Sequence, residues 1–118
     1  EQDLSSEQKE GNIMNWQHFS DFTDGNQEME QELLQIFIEN LQQDLKALHQ
    51  CYTNKDFQGW EEAAHKLYGA SAHVGAICLA DVCSQAERLD LADPAPIKQM
   101  HYNILKESQR VKAAMMSR

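Results

Sequence analysis

The chain has 118 residues with 42% hydrophobic content and a formal net charge of −9, a size and composition that fit one globular domain with a single core. Nine Asp/Glu and one Lys fall in residues 1–32, a net of −8; ten Asp/Glu and nine Lys/Arg follow in residues 33–118, a net of −1. There is no basic stripe to follow a phosphate backbone, which argues against nucleic acid as a partner, and no apolar run of membrane-spanning length.

Residues 1–11 are polar, acidic and without periodicity, and read as a flexible leader or linker ahead of a domain over 12–118. The chain begins at Glu1 without an initiator methionine, as expected of a piece of a longer protein. No signal peptide is visible. The three cysteines, Cys51, Cys78 and Cys83, are odd in number and lack zinc-like spacing. They read as free thiols in a reducing, cytoplasmic compartment.

A short helix is predicted from about Asn15 to Thr23, presenting Trp16 and Phe19, followed by a turn at Asp24-Gly25-Asn26. A long helix follows from Gln27 to about Thr53, with Leu33, Phe37, Leu41, Leu45, Leu48 and Tyr52 at spacings of three or four. Asn54-Lys55-Asp56 interrupts it, and Asp56 reads as the N-cap of a third helix from Phe57 to about Val74. Its apolar positions are Phe57, Trp60, Ala64, Leu67, Ser71 and Val74, and Gly75 closes it as a left-handed cap. A fourth helix is read from about Ile77 to Leu91 with Leu79, Val82, Ala86 and Leu89. Asp93-Pro94 then starts a last helix expected to bury Ile97, His101 or Met100, Ile104, Val111 and Met115. Nothing reads as a strand. Short connections make neighbouring helices antiparallel, giving an all-α, up-down four-helix bundle with a short additional N-terminal helix.

The segment from Ala64 to Ala76 carries the chemistry. At 100° per residue the apolar side of the third helix lies roughly 130° from His65, so the imidazole faces outward. Gly69 lies one turn along the same face. A mid-helix glycine costs about 1 kcal/mol relative to alanine, a cost compatible with a site that another body must approach closely. A surface histidine is ordinary by itself, and the run Gly69-Ala70-Ser71-Ala72 would also suit close helix packing.

The run His65-Lys66-Leu67-Tyr68-Gly69-Ala70-Ser71-Ala72-His73-Val74-Gly75 resembles the signature of the histidine-containing phosphotransfer (HPt) domain. That signature reads roughly His-x-Leu-Lys-Gly-small-small-x-x-aliphatic-Gly. His65, Leu67, Gly69, Ala70, Ser71, Val74 and Gly75 match it, and Tyr68 stands where the family usually has lysine. The resemblance implies a phosphorelay carrier without autokinase activity or nucleotide site. His65 would accept a phosphoryl group from a receiver-domain aspartyl phosphate and pass it to another receiver aspartate. No cofactor is implied in this chain; the receiver supplies magnesium. The isolated domain is expected to be monomeric, and such domains occur free-standing or at the C-terminus of membrane-anchored hybrid kinases.

The departure at Tyr68 leaves alternatives open. Either Lys66 supplies the phosphate-screening charge, or the phosphohistidine is less well screened; Tyr68 could instead donate its hydroxyl or pack against the receiver. Glu87, on the fourth helix, stands where the family commonly has a polar residue near the histidine, and a hairpin turning at Gly75 sets it at about the right level. His73 lies about 12 Å along the axis from His65 and cannot share its proton. Glu61, Glu62 and His65 are the nearest approach to a metal-ligand grouping, and a weak one. A helical-bundle adaptor that binds receivers or other partners without phosphorylation is the second reading. Retention of His65 favours the carrier.

Overall fold

A computed structural model describes residues 13–117. The leader assigned to residues 1–11 lies outside them. Five helices form in chain order: α1 Trp16–Thr23, α2 Gln27–Thr53, α3 Phe57–Val74, α4 Ile77–Ala86 and α5 Pro94–Met116. No strand occurs among the described residues.

Local chemistry explains where the helices start. The side chains of Asn15, Asn26, Asp56 and Asp93 each accept a bond from a backbone N–H in the first turn of α1, α2, α3 and α5, respectively. Each satisfies a donor that the helix itself leaves unpaired. Proline stands in the first turn of α5, where its missing N–H costs nothing.

Helix α3 ends at Gly75, whose φ of 84° lies in the left-handed region. Space also dictates glycine here, because a Cβ would meet the Asn15 carbonyl oxygen at 2.9 Å. The approach is close because Asn15 N–H donates to Gly75 O at 2.7 Å. The His18 ring donates from Nε2 to the His73 carbonyl at 3.1 Å. These two bonds fasten the start of α1 to the α3–α4 turn.

Helices α2 to α5 make the bundle: α3 packs on α2 and α4, and α5 on α4 and α2, while α1 lies against α2. Phe19, Leu41, Leu48, Trp60, Leu67, Leu79, Ile97, Ile104 and Val111 are fully buried between them. The expected positions of α3 hold, with Trp60, Ala64, Leu67, Ser71 and Val74 buried and Phe57 half-buried.

Two expectations shift. On α2 the structure buries Leu34 and leaves Leu33, Leu45 and Tyr52 half-buried at its edge. Leu34, Leu41 and Leu48 fall seven residues apart, the spacing that keeps a long helix facing one seam. Glu30 sits on that seam too, buried, and accepts from the Thr23 hydroxyl at 2.9 Å.

Helix α4 stops at Ala86 rather than near Leu91. The N–H groups of Glu87, Arg88 and Leu89 bond to carbonyls three residues back, at 3.2, 3.1 and 3.4 Å. The chain therefore tightens into turns. Leu89 and Leu91 still pack against the core, so their apolar signal was real but marked a packed turn instead of a helix.

Candidate functional site

His65 occupies the middle of α3 with its side chain 68% exposed. The buried positions of the helix lie on its other side, as the 3.6-residue period requires. One turn on, a Cβ at Gly69 would meet nothing within 4 Å, so the surface beside the imidazole is open. Tyr68 is exposed at the margin of this face.

The α3–α4 hairpin brings Glu87 to the histidine. Its Oε1 lies 3.0 Å from His65 Nδ1. A carboxylate only accepts, so Nδ1 carries the proton and donates. Nε2 of the neutral ring is then an unprotonated lone pair facing solvent. Glu87 holds this position because it is the C-cap of α4, at the point where the helix gives way to the turn.

His65 and Glu87 line a shallow recess of about 330 Å³ together with Glu61 and Glu62. The near surroundings of the imidazole are thus acidic. Lys66 reaches toward α2, where its ammonium lies 3.5 Å from Asp44 Oδ1. Asp44 was not singled out in the sequence, because nothing in α3 alone indicates which neighbouring carboxylate a surface lysine will meet.

Further along the face, the His73 ring makes an edge contact with Phe22 of α1, centroids 4.7 Å apart. Phe22 remains about half exposed, so an aromatic patch continues the face beyond Gly69. Among the described residues no three His, Cys, Asp or Glu side chains are gathered for a metal ion, the Glu61–Glu62–His65 grouping included. No helix among them is long and apolar enough to cross a membrane.

The cysteines stand apart from the site chemistry. Cys83 is fully buried in α4, and burial, with the Glu87 charge second, pushes its thiol up to about 12. It is a small core residue and no nucleophile at neutral pH.

The structure thus sets an exposed, hydrogen-bonded imidazole beside a bare patch of helix on an antiparallel helical bundle. The chain belongs to the Hpt domain family, whose model matches residues 32–114. Among solved structures, histidine-containing phosphotransfer protein B (HptB) from Pseudomonas aeruginosa PAO1 is similar at a TM-score of 0.79. The two share 19% sequence identity over 89% of this chain and 92% of that one. The HPT domain from the Hpt sensor hybrid histidine kinase from Shewanella is similar at a TM-score of 0.73 with 18% identity, over 90% of this chain and 92% of that one. At these identities the likeness shows the fold. None of the curated proteins matches the chain in sequence.

Proposed function

We propose that this domain is a phosphorelay carrier in which His65 takes a phosphoryl group from the aspartyl phosphate of one receiver domain and delivers it to the aspartate of another. The observation that carries this reading is the His65 geometry: an exposed Nε2 lone pair, with Nδ1–H held by Glu87 at 3.0 Å. A neutral imidazole with its proton on Nδ1 carries its lone pair on Nε2, and that lone pair can attack phosphorus.

The other site residues take supporting roles in the proposal. Gly69 gives the receiver room to bring its aspartate up to Nε2. Lys66, paired with Asp44 in the resting domain, supplies charge to the incoming phosphoryl group by exchanging partners along its flexible stem. Tyr68 is a contact at the margin of the docked receiver. Magnesium and the remaining catalytic groups belong to the receiver, so the domain needs no cofactor of its own.

The test is incubation with a panel of phosphorylated receiver domains, followed by assay for acid-labile, base-stable phosphate. Wild type and His73→Gln should take label, and His65→Gln should fold normally and take none. Label on the His65 variant would overturn the assignment. Receiver binding with no label on wild type would favour the adaptor reading instead.

A further inference from the structure

Charge is segregated along this chain. Helix α5 holds Lys98, Lys106, Arg110 and Lys112 against one carboxylate, Glu107, a net of +3. The whole chain carries −9, so the residues outside α5 sum to −12. Arg110 pairs with Glu107 at 3.0 Å, whereas Lys98, Lys106 and Lys112 meet no carboxylate among the described residues. In so acidic a domain, three such lysines on one helix mark a face turned away from the domain's own carboxylates.

That face is also concave and partly apolar. Three recesses of about 650, 310 and 430 Å³ follow one another along α5. The first two share Tyr102 and Leu105, and the last two share Gln109, so they form one cleft. Its other wall is α2, through Leu41, Gln42, Leu45, His49 and Tyr52, none of them acidic. Tyr102 and Met116 on this cleft are 69% and 70% exposed, more than any other large hydrophobic side chain described. Helix α5 packs chiefly on α4 and α2, and α3 on α2 and α4, so the cleft lies across the bundle from the His65 face.

We propose that the α2–α5 cleft docks an acidic amphipathic helix of a partner protein, and does so while a receiver occupies His65. Charge complementarity selects the occupant: carboxylates on its polar face meet Lys98, Lys106 and Lys112, which span the length of α5. Its apolar face meets Tyr102, Leu105 and Met116, one stripe of α5 at spacings that are multiples of a helical turn. From Ala95 to Met116 the cleft runs about 30 Å at 1.5 Å per residue, room for a helix of about 20 residues. A second copy of the chain paired about a twofold axis at the cleft would set the α5 lysines of both copies against each other. A flat anionic bilayer would reach the lysines and leave the recesses between α2 and α5 unfilled.

The experiment measures binding of fluorescent, stapled helical peptides of about 20 residues, with Leu, Ile or Phe at i, i+3, i+4 and i+7 spacing and Glu over the remaining surface. Matched peptides with Lys in place of Glu are the controls. Acidic peptides should bind the wild-type domain and basic ones should not, and NMR shift changes should fall on α5 and the α2 wall and spare His65. The triple variant Lys98→Glu, Lys106→Glu, Lys112→Glu should fold normally, since none of the three pairs with a carboxylate in the domain. It should lose about tenfold or more in affinity, and added salt should weaken wild type toward that level. Tyr102→Ser should weaken binding at every salt concentration. Receiver-dependent labelling of His65 should match wild type in both variants. No binding by any acidic peptide, equal binding by basic peptides, or an unaffected triple variant would overturn the proposal. Tighter association with vesicles of phosphatidylserine and phosphatidylcholine than with any peptide would make the cleft a membrane contact. A dimer in sedimentation that the triple variant dissolves would assign it to a second copy, and loss of His65 labelling in that variant would place a receiver there. Each of these results would overturn the acidic helix.

Discussion

Gly69 is where local stability and access oppose one another. A Cβ there would touch nothing within 4 Å, so the domain itself has no steric reason to exclude a side chain. Gly69→Ala should therefore stabilise the helix by roughly up to 1 kcal/mol, read from urea unfolding. Gly69→Gln should fold equally well and slow transfer severely, because its side chain would project into the open face beside His65. Normal transfer in the Gln variant would show that receivers do not approach over this turn. Two residues on, Ser71 is fully buried and its hydroxyl finds no hydrogen-bond partner among the described residues. Burying such a group unpaired costs about 1–3 kcal/mol, partly offset by the packing its atom provides. Ser71→Ala should accordingly leave the bundle as stable or make it more so, by about 1 kcal/mol. A clear loss in a denaturant titration would mean that the hydroxyl is satisfied in solution.

Among the elements, the α3–α4 hairpin does the most to build the candidate site, since it sets Glu87 level with His65. Its turn depends on Gly75, where a positive φ coincides with the backbone contact from Asn15. Gly75→Ala should cost about 2 kcal/mol or more and should also loosen α1, which amide hydrogen exchange at residues 16–23 would detect. The starts of α1, α2, α3 and α5 were legible because capping is local chemistry: Asn15, Asn26, Asp56 and Asp93 lie next to the turns they serve. The outward facing of His65 was legible because helical periodicity fixes it. The end of α4 was not, because Leu89 and Leu91 continue an apolar pattern that a packed turn satisfies as well as a helix. The choice of Leu34 over Leu33 was hidden for a related reason. Both fit a spacing of three or four, and only the facing helices decide which one enters the seam. Within the site, the level of Glu87 could be read from the hairpin. The pairing of Lys66 with Asp44 could not, because it depends on how α2 lies against α3.

For the molecule as a whole, a buried histidine links stability to pH at a place away from the site. His101 of α5 is almost fully buried, and its Nδ1 accepts from the Trp60 indole N–H at 3.0 Å. Indole nitrogen only donates, so the neutral His101 ring carries its proton on Nε2. That proton points at His49 Nδ1 of α2, 3.4 Å away, while the Tyr52 ring stacks on the other side at 4.3 Å. Charging His101 would put a second proton on Nδ1, where the Trp60 donor already sits. Burial, and secondarily His49, hold its pKa below the usual histidine value. The sign follows: the unfolded chain protonates this residue near pH 6.5 while the folded chain resists. The contribution of His101 is thus fully present above about pH 6.5, and stability falls as pH drops below it, by at most about 1.4 kcal/mol per pH unit for one group. Urea midpoints should decline between pH 6.5 and 5. His101→Phe would keep an aromatic ring against Tyr52 but leave the Trp60 N–H unpaired. It should be less stable at pH 7.5 by about 1–3 kcal/mol, with a shallower decline in acid. A variant with the same acid slope as wild type would show that the pH dependence originates in other groups.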